Sequence, residues 1–190
     1  QNMASPKGRN DCGGNDLDSL LYEFLRAKVK RELEIDISST RGIPDQMILT
    51  MCRELKERIN NPVNEKEKDG ITIAVWHGNS PQDYDFVISK EVFNSIVDKK
   101  VEEAILVAEE VTNDVKRNGQ SIDKVLLIGG SSQLTLVRDK LKALPLLKDI
   151  PLESYGGADV AVAIGTLVEI GTSVESCNEK TQCDKATPTV

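Results

Sequence analysis

The run Lys124-Val-Leu-Leu-Ile-Gly129-Gly130-Ser131-Ser132-Gln133-Leu-Thr-Leu-Val-Arg138 is the segment best suited to hold a ligand. A short apolar strand leads into two consecutive glycines and then into residues with the spacing of an amphipathic helix. Paired glycines at the carboxyl end of a buried strand remove every Cβ at the turn, so another molecule can approach the main chain closely. Ser131 or Ser132 is placed to cap the helix. The helix's free N–H groups and positive dipole end would then face the same crevice, which suits a polar or anionic ligand. Such turns serve close packing as readily as binding, and these residues alone leave both uses open.

A second candidate surface lies upstream. Arg53, Lys56 and Asn60 are three and four residues apart and share one helical face, beside the apolar stripe Ile48, Met51, Cys52, Leu55 and Ile59. That face could look into a cleft. With Glu57 it reads equally well as a solvated helix surface.

Periodicity places these segments among other elements. Asp16 is expected to cap a helix whose apolar residues Leu17, Leu20, Leu21, Phe24 and Leu25 keep helical spacing to about Leu33. The helix carrying Arg53 should stop before Asn60-Asn61-Pro62, and a connector rich in lysine and glutamate runs to Gly70. Residues 71–76 and 84–88 read as a hairpin, with Asn79-Ser80-Pro81 as its turn. Trp76 beside His77 is read as a packing aromatic at a strand end rather than a ligand platform. Ser89 should cap the longest helix, whose broad apolar face includes Phe93, Val97, Val101 and Ile105 and which ends at Asn118-Gly119. From Ile122 the order is strand, glycine turn, helix to about Leu144, an extended segment near Ile150-Pro151-Leu152, and a final helix from Asp159 toward Ile170. The lead-in, residues 1–11, is polar without a signal-peptide apolar region and is expected to be flexible; the tail from Gly171 is expected to be disordered or a linker.

Composition narrows the function. The 190 residues are 39% hydrophobic, contain no apolar run able to cross a bilayer, and fit a soluble, cytoplasmic domain. A net charge of −7 argues against nucleic-acid or anionic-membrane partners, which need a basic surface. Cys12, Cys52, Cys177 and Cys183 form no CxxC pair, and the lone His77 has no metal-ligand spacing. Four reduced thiols and no metal site are expected, with Cys52 a small buried apolar side chain rather than a nucleophile. No catalytic residue is assigned.

The glycine turn resembles the adenosine-binding turn of the seventy-kilodalton heat-shock chaperone family (DnaK-like), Gly-Gly-Ser-[Ser/Thr]-Arg-Ile-Pro. Three further matches follow the family order. Cys12-Gly13-Gly14-Asn15-Asp16-Leu17-Asp18 resembles Gly-Gly-x-Asp-Phe-Asp, Cys52-Arg53-Glu54-Leu55-Lys56 resembles Cys-Glu-x-x-Lys, and Asp159-Val-Ala-Val-Ala-Ile-Gly165 resembles Asp-Glu-Ala-Val-Ala-Tyr-Gly. Together they span residues about 8 to 170.

The resemblance implies an α/β fold, the second half of an actin-like ATPase domain. A small helix-and-hairpin lobe (residues 12–118) would sit on part of a larger α/β lobe (residues 119–170) that carries the adenosine turn. It implies an adenine nucleotide, ATP or ADP, as ligand and a chaperone role in stress response. An exchange factor or co-chaperone on the small lobe would be a partner. The implied nucleotide contacts are Gly13, Gly14, Arg53, Lys56, Glu57, Asn60, Gly129, Gly130, Ser131, Gln133 and Asp159. At the positions of Arg53, Lys56 and Asn60 the family carries Glu, Lys and Ser, which hold the ribose hydroxyls; at Glu57 and Gln133 it carries arginines that stack on the two adenine faces. Only Lys56 of those five is retained. A one-residue slip would instead put Glu54 and Arg58 at the acid and arginine positions. The family's phosphate loops, Asp-Leu-Gly-Thr-Thr and Asp-Leu-Gly-Gly-Gly-Thr, do not occur in this sequence. Magnesium binding is therefore expected only with the missing half, and the chain alone is expected not to hydrolyse ATP. The alternative is a divergent regulatory or protein-interaction lobe with little nucleotide affinity.

Overall fold

The computed structural model describes residues 4–37, 45–60, 70–77 and 80–154; for 75–77 and 81 it describes the backbone alone. In chain order the elements are α1 (Gly14–Leu33), α2 (Asp45–Asn60), β1 (Gly70–His77), β2 (Ser80–Val87), α3 (Lys90–Arg117), β3 (Val125–Leu127), a 3-10 turn (Gly130–Gln133), α4 (Thr135–Ala143) and β4 (Leu152–Ser154). The connector 61–69, Asn79, the expected final helix and the tail lie outside the described residues.

Leu17, Leu21, Leu25 and Val29 of α1 are buried against Ile48, Cys52, Leu55 and Ile59 of α2 and Phe93, Val97, Val101 and Ile105 of α3. The same apolar cluster continues through Leu127, Leu134, Leu141 and Leu147, so the glycine turn is anchored to the core that seats α1 and α2. In β1 the expected alternation holds: Ile71 and Ile73 are buried, Thr72 is exposed and bonds Asp85 across the ladder. α3 begins as expected, with Ser89 Oγ accepting the Val92 N–H at 3.3 Å, and ends at Asn118 with Gly119 at φ +69°.

Four local expectations are corrected. Asp16 is the third residue of α1 rather than its cap. The helix starts at Gly14, and the Asp16 carboxylate reaches back to accept the Gly13 N–H at 2.8 Å, leaving a negative charge beside the positive helix end. The hairpin strands extend further toward each other than residues 71–76 and 84–88. Ser80 and Pro81 belong to β2, and proline is tolerated there because a two-stranded ribbon consists of edges. Among the described residues β3 is covered on one face rather than buried on both: β4 pairs with it in parallel, Leu127 is buried, and Leu126 and Ile128 on the opposite face are exposed. Neither Ser131 nor Ser132 caps α4. The turn winds with i to i+3 bonds, so Ser132 Oγ donates to Gly129 O at 2.7 Å one turn too early, and the Thr135 N–H that opens α4 donates to Asn60 Oδ1 of α2 at 3.4 Å.

Ion pairs join part of the lead-in to α3. Lys7 Nζ lies 2.6 Å from Glu110 and Asp114 on α3, while Arg9 and Lys100 share Asp11 and Glu103. Hydrogen bonds from Arg9 and then Lys100 hold the Asp11 carboxyl well below its usual range.

Candidate functional site

α2 and the glycine turn face each other across a cavity of about 920 Å³, a size suited to a small-molecule ligand. The start of α1 closes one end. From α1 come Gly14, Asn15 and Asp18; from α2 come Arg53, Glu54, Lys56, Glu57, Arg58 and Asn60; from the turn come Gly130, Ser131, Gln133 and Leu134. Of the residues singled out from sequence, Gly14, Arg53, Lys56, Glu57, Asn60, Gly130, Ser131 and Gln133 are thereby brought together. Gly13 and Gly129 do not line the cavity; they shape the backbone beside it. Asp159 lies outside the described residues.

The α2 wall is built from committed side chains. Lys56 Nζ sits 2.6 Å from Asp18 Oδ1 and donates to Gly14 O at 3.1 Å, with the Lys56 and Asp18 side chains only 12% and 4% exposed. Arg53 reaches the same carboxylate from the solvent side, Nε to Asp18 Oδ2 at 3.3 Å, and its Nη2 donates to Asn15 Oδ1 at 3.0 Å. Asn60 is also spent: Nδ2 donates to Lys56 O at 2.8 Å, and Oδ1 accepts from Thr135. Arg58 Nη2 donates to Gly70 O at 2.8 Å, fixing the start of β1 to α2. Glu54 and Glu57 are exposed along this wall.

The opposite wall is largely backbone. A Cβ built on Gly130 would meet nothing within 4 Å, so the space above it is open to a ligand. Gly129, at φ +87°, holds a conformation that side-chain-bearing residues rarely adopt. Gly14 serves close packing instead, since a Cβ there would lie 3.1 Å from Ser131 Oγ and 3.4 Å from Lys56 Nζ. Gln133 is fixed from behind: its Oε1 accepts from Arg138 Nη2 at 3.2 Å and from Ser154 Oγ at 3.0 Å, and Arg138 also contacts Ser154.

Cys52 lies under the α2 wall, fully buried, and burial pushes its thiol up to about 12, so it is an apolar packing group rather than a thiolate. Asp11, Cys12 and Glu103 come close enough to share a metal ion, but the Arg9 and Lys100 cations already occupy the two carboxylates. Asp18 is the important residue that sequence reasoning passed over. It stands in the buried stripe of α1 with Tyr22, Leu25 and Val29, and an acid in an apolar stripe signals a buried partner. Arg138 and Ser154 carry no such signal.

The sequence profile of the family described as Hsp70 protein matches residues 2–182 of this chain.

Proposed function

The chain belongs to the Hsp70 family, chaperones with a nucleotide-binding domain, and from that premise we propose that it supplies the adenosine side of an adenine-nucleotide site. The mixed helices and small sheets agree with the α/β class and with the actin-like fold of that domain. No helix among the described residues is long and apolar enough to cross a membrane. A cytoplasmic location, and an exchange factor or co-chaperone as partner of the small lobe, belong to the same proposal.

The observation that carries the reading is the cavity between α2 and the bare Gly130 backbone. A nucleoside fits with its base between the Gln133 stem and Glu57, and its sugar one helical turn earlier along α2. ATP or ADP would bring its phosphates; Asp18 is already shared by Lys56 and Arg53, and magnesium belongs with the phosphate loops that this sequence does not contain.

The second reading, a regulatory lobe with little nucleotide affinity, is favoured by one feature. Neither base-facing position carries a guanidinium, and Lys56 and Asn60 are committed within the protein. Titration calorimetry with ADP and adenosine separates the two. The Gln133→Arg/Glu57→Arg double variant should bind more tightly by roughly one to three decades, each cation–π contact being worth about 0.5 to 2 kcal/mol. Equal affinity of the unaltered chain and the double variant contradicts this placement of the base. No binding by either, with the fold intact, favours the regulatory reading.

A further inference from the structure

Arg53 faces the cavity from α2 with hydrogen-bonding capacity to spare on its solvent side; Arg58 also lines the cavity, but its unpartnered Nε is buried. Lys56 is partly buried, with Asp18 at 2.6 Å and Gly14 O at 3.1 Å, whereas the Arg53 side chain is 57% exposed. Of the guanidinium's donors, Nε goes to Asp18 and one Nη2 hydrogen to Asn15. Both Nη1 hydrogens and the second Nη2 hydrogen have no partner among the described residues. Asp18 lies between two cations, with Lys56 the closer and more buried one, so Arg53 is held from one side and leaves the rest of its guanidinium edge toward the cavity.

A fork of free N–H donors on a planar guanidinium matches the oxygens of a phosphate better than the hydroxyls of a sugar. On the placement proposed above, with the base at Gln133 and Glu57, the sugar lies one turn back along α2, a step of about 5.4 Å, beside Arg53. Glu57 and Glu54 keep their carboxylates on the same wall, so an acceptor-only neighbour suited to free hydroxyls sits one turn from a donor-only group suited to an anion. We infer that Arg53 makes the site selective for a nucleotide carrying a phosphate on the ribose ring, at the 2′ or 3′ position. This inference rests on the nucleotide reading of the cavity.

The test is calorimetric titration of the full chain with AMP, adenosine 2′,5′-bisphosphate and adenosine 3′,5′-bisphosphate; the last two identify which hydroxyl carries the group. At least one bisphosphate should bind about tenfold more tightly than AMP, as a charge-assisted fork contact implies. In Arg53→Gln the ratio of bisphosphate to AMP affinity should fall to about one, and in Arg53→Lys, which keeps the charge but not the fork, it should be intermediate. A thermal melt of each variant establishes that it is folded. AMP binding without a bisphosphate gain, or a gain that survives in folded Arg53→Gln and Arg53→Lys alike, overturns the inference and leaves the nucleotide site standing. Failure of all three ligands to bind the folded, unaltered chain overturns the nucleotide reading and this inference with it.

Discussion

On the α2 side of the cavity the inner side chains are tied to neighbouring elements, Lys56 to Asp18 and Gly14, Asn60 to its own helix and to Thr135, Arg58 to Gly70, while Arg53, Glu54 and Glu57 stand at the exposed rim. On the turn side the corresponding positions are glycines, a serine and a glutamine whose oxygen is held from behind by Arg138 and Ser154. One wall therefore spends its side chains on holding the elements together, and the other offers open backbone. Substitutions should divide along the same line, with stability changing at the inner α2 contacts and affinity changing at the turn and the exposed α2 rim.

The largest expected effect is at Asp18. Replacing a partner in a buried ion pair leaves the other charge uncompensated, so Asp18→Leu should destabilise the chain by about 3 kcal/mol or more. Urea denaturation measures it; a loss below about 1 kcal/mol, the range of exposed pairs, would mean the Lys56 pair behaves as a surface contact.

Next comes Gly130→Val. Because a Cβ there meets nothing and the residue is not at positive φ, stability should change by no more than about 0.5 kcal/mol. Nucleotide binding should nevertheless be lost, since the side chain fills the space against the main chain. If binding persists with the melt unchanged, the ligand does not use the turn backbone. Gly129→Ala differs from it by mechanism: at φ +87° the cost should appear in folding, about 1 kcal/mol, and equal melts for the two variants would erase the distinction.

Asn60→Ala should be milder. It removes the acceptor for the Thr135 N–H that opens α4, and loss of such a cap costs about 1 kcal/mol or less for a contact as long as 3.4 Å. Hydrogen exchange should quicken at the start of α4 and stay unchanged in α3. Quickening confined to α2 would show that Asn60 serves only its own helix.

The smallest effect lies away from the cavity. Asp11, held down first by Arg9 and then by Lys100, and Asp114, held down by Lys7, both have folded values below the ordinary carboxylate value of 3.8. Their pairing with the lead-in is complete above that value and is lost as pH falls through the lower folded values. NMR signals of residues 4–11 should shift toward disordered positions as pH is lowered well below the ordinary carboxylate value, and also in about 1 M salt, which screens exposed pairs. Signals that do not move under either condition would show that these ion pairs do not hold the segment.

Much of this architecture was legible because it is local. Apolar spacing gave α1, α2 and α3, and Ser89 marked the start of α3 where the structure puts it. The misplaced details depend on choices that local pattern does not distinguish. An acid near a helix start can cap it or reach back from the third position, as Asp16 does, and a serine after paired glycines can serve a 3-10 turn before the helix, as Ser132 does. The shared face of Arg53, Lys56 and Asn60 was readable from spacing, but its commitments were not. Their partners, Asp18 and Thr135, come from α1 and α4, and only the tertiary fold brings them to α2.

The central claim is that a nucleoside enters between α2 and the bare glycine turn. The most direct measurement is an ADP titration followed by backbone amide NMR. Saturable shifts should concentrate at Gly130, Ser131 and Gln133 on one wall and at Arg53 and Glu57 on the other, with α3 beyond Val101 unchanged. Saturable shifts confined to the hairpin or α3, or none at millimolar ADP with the spectrum of a folded chain, would contradict it.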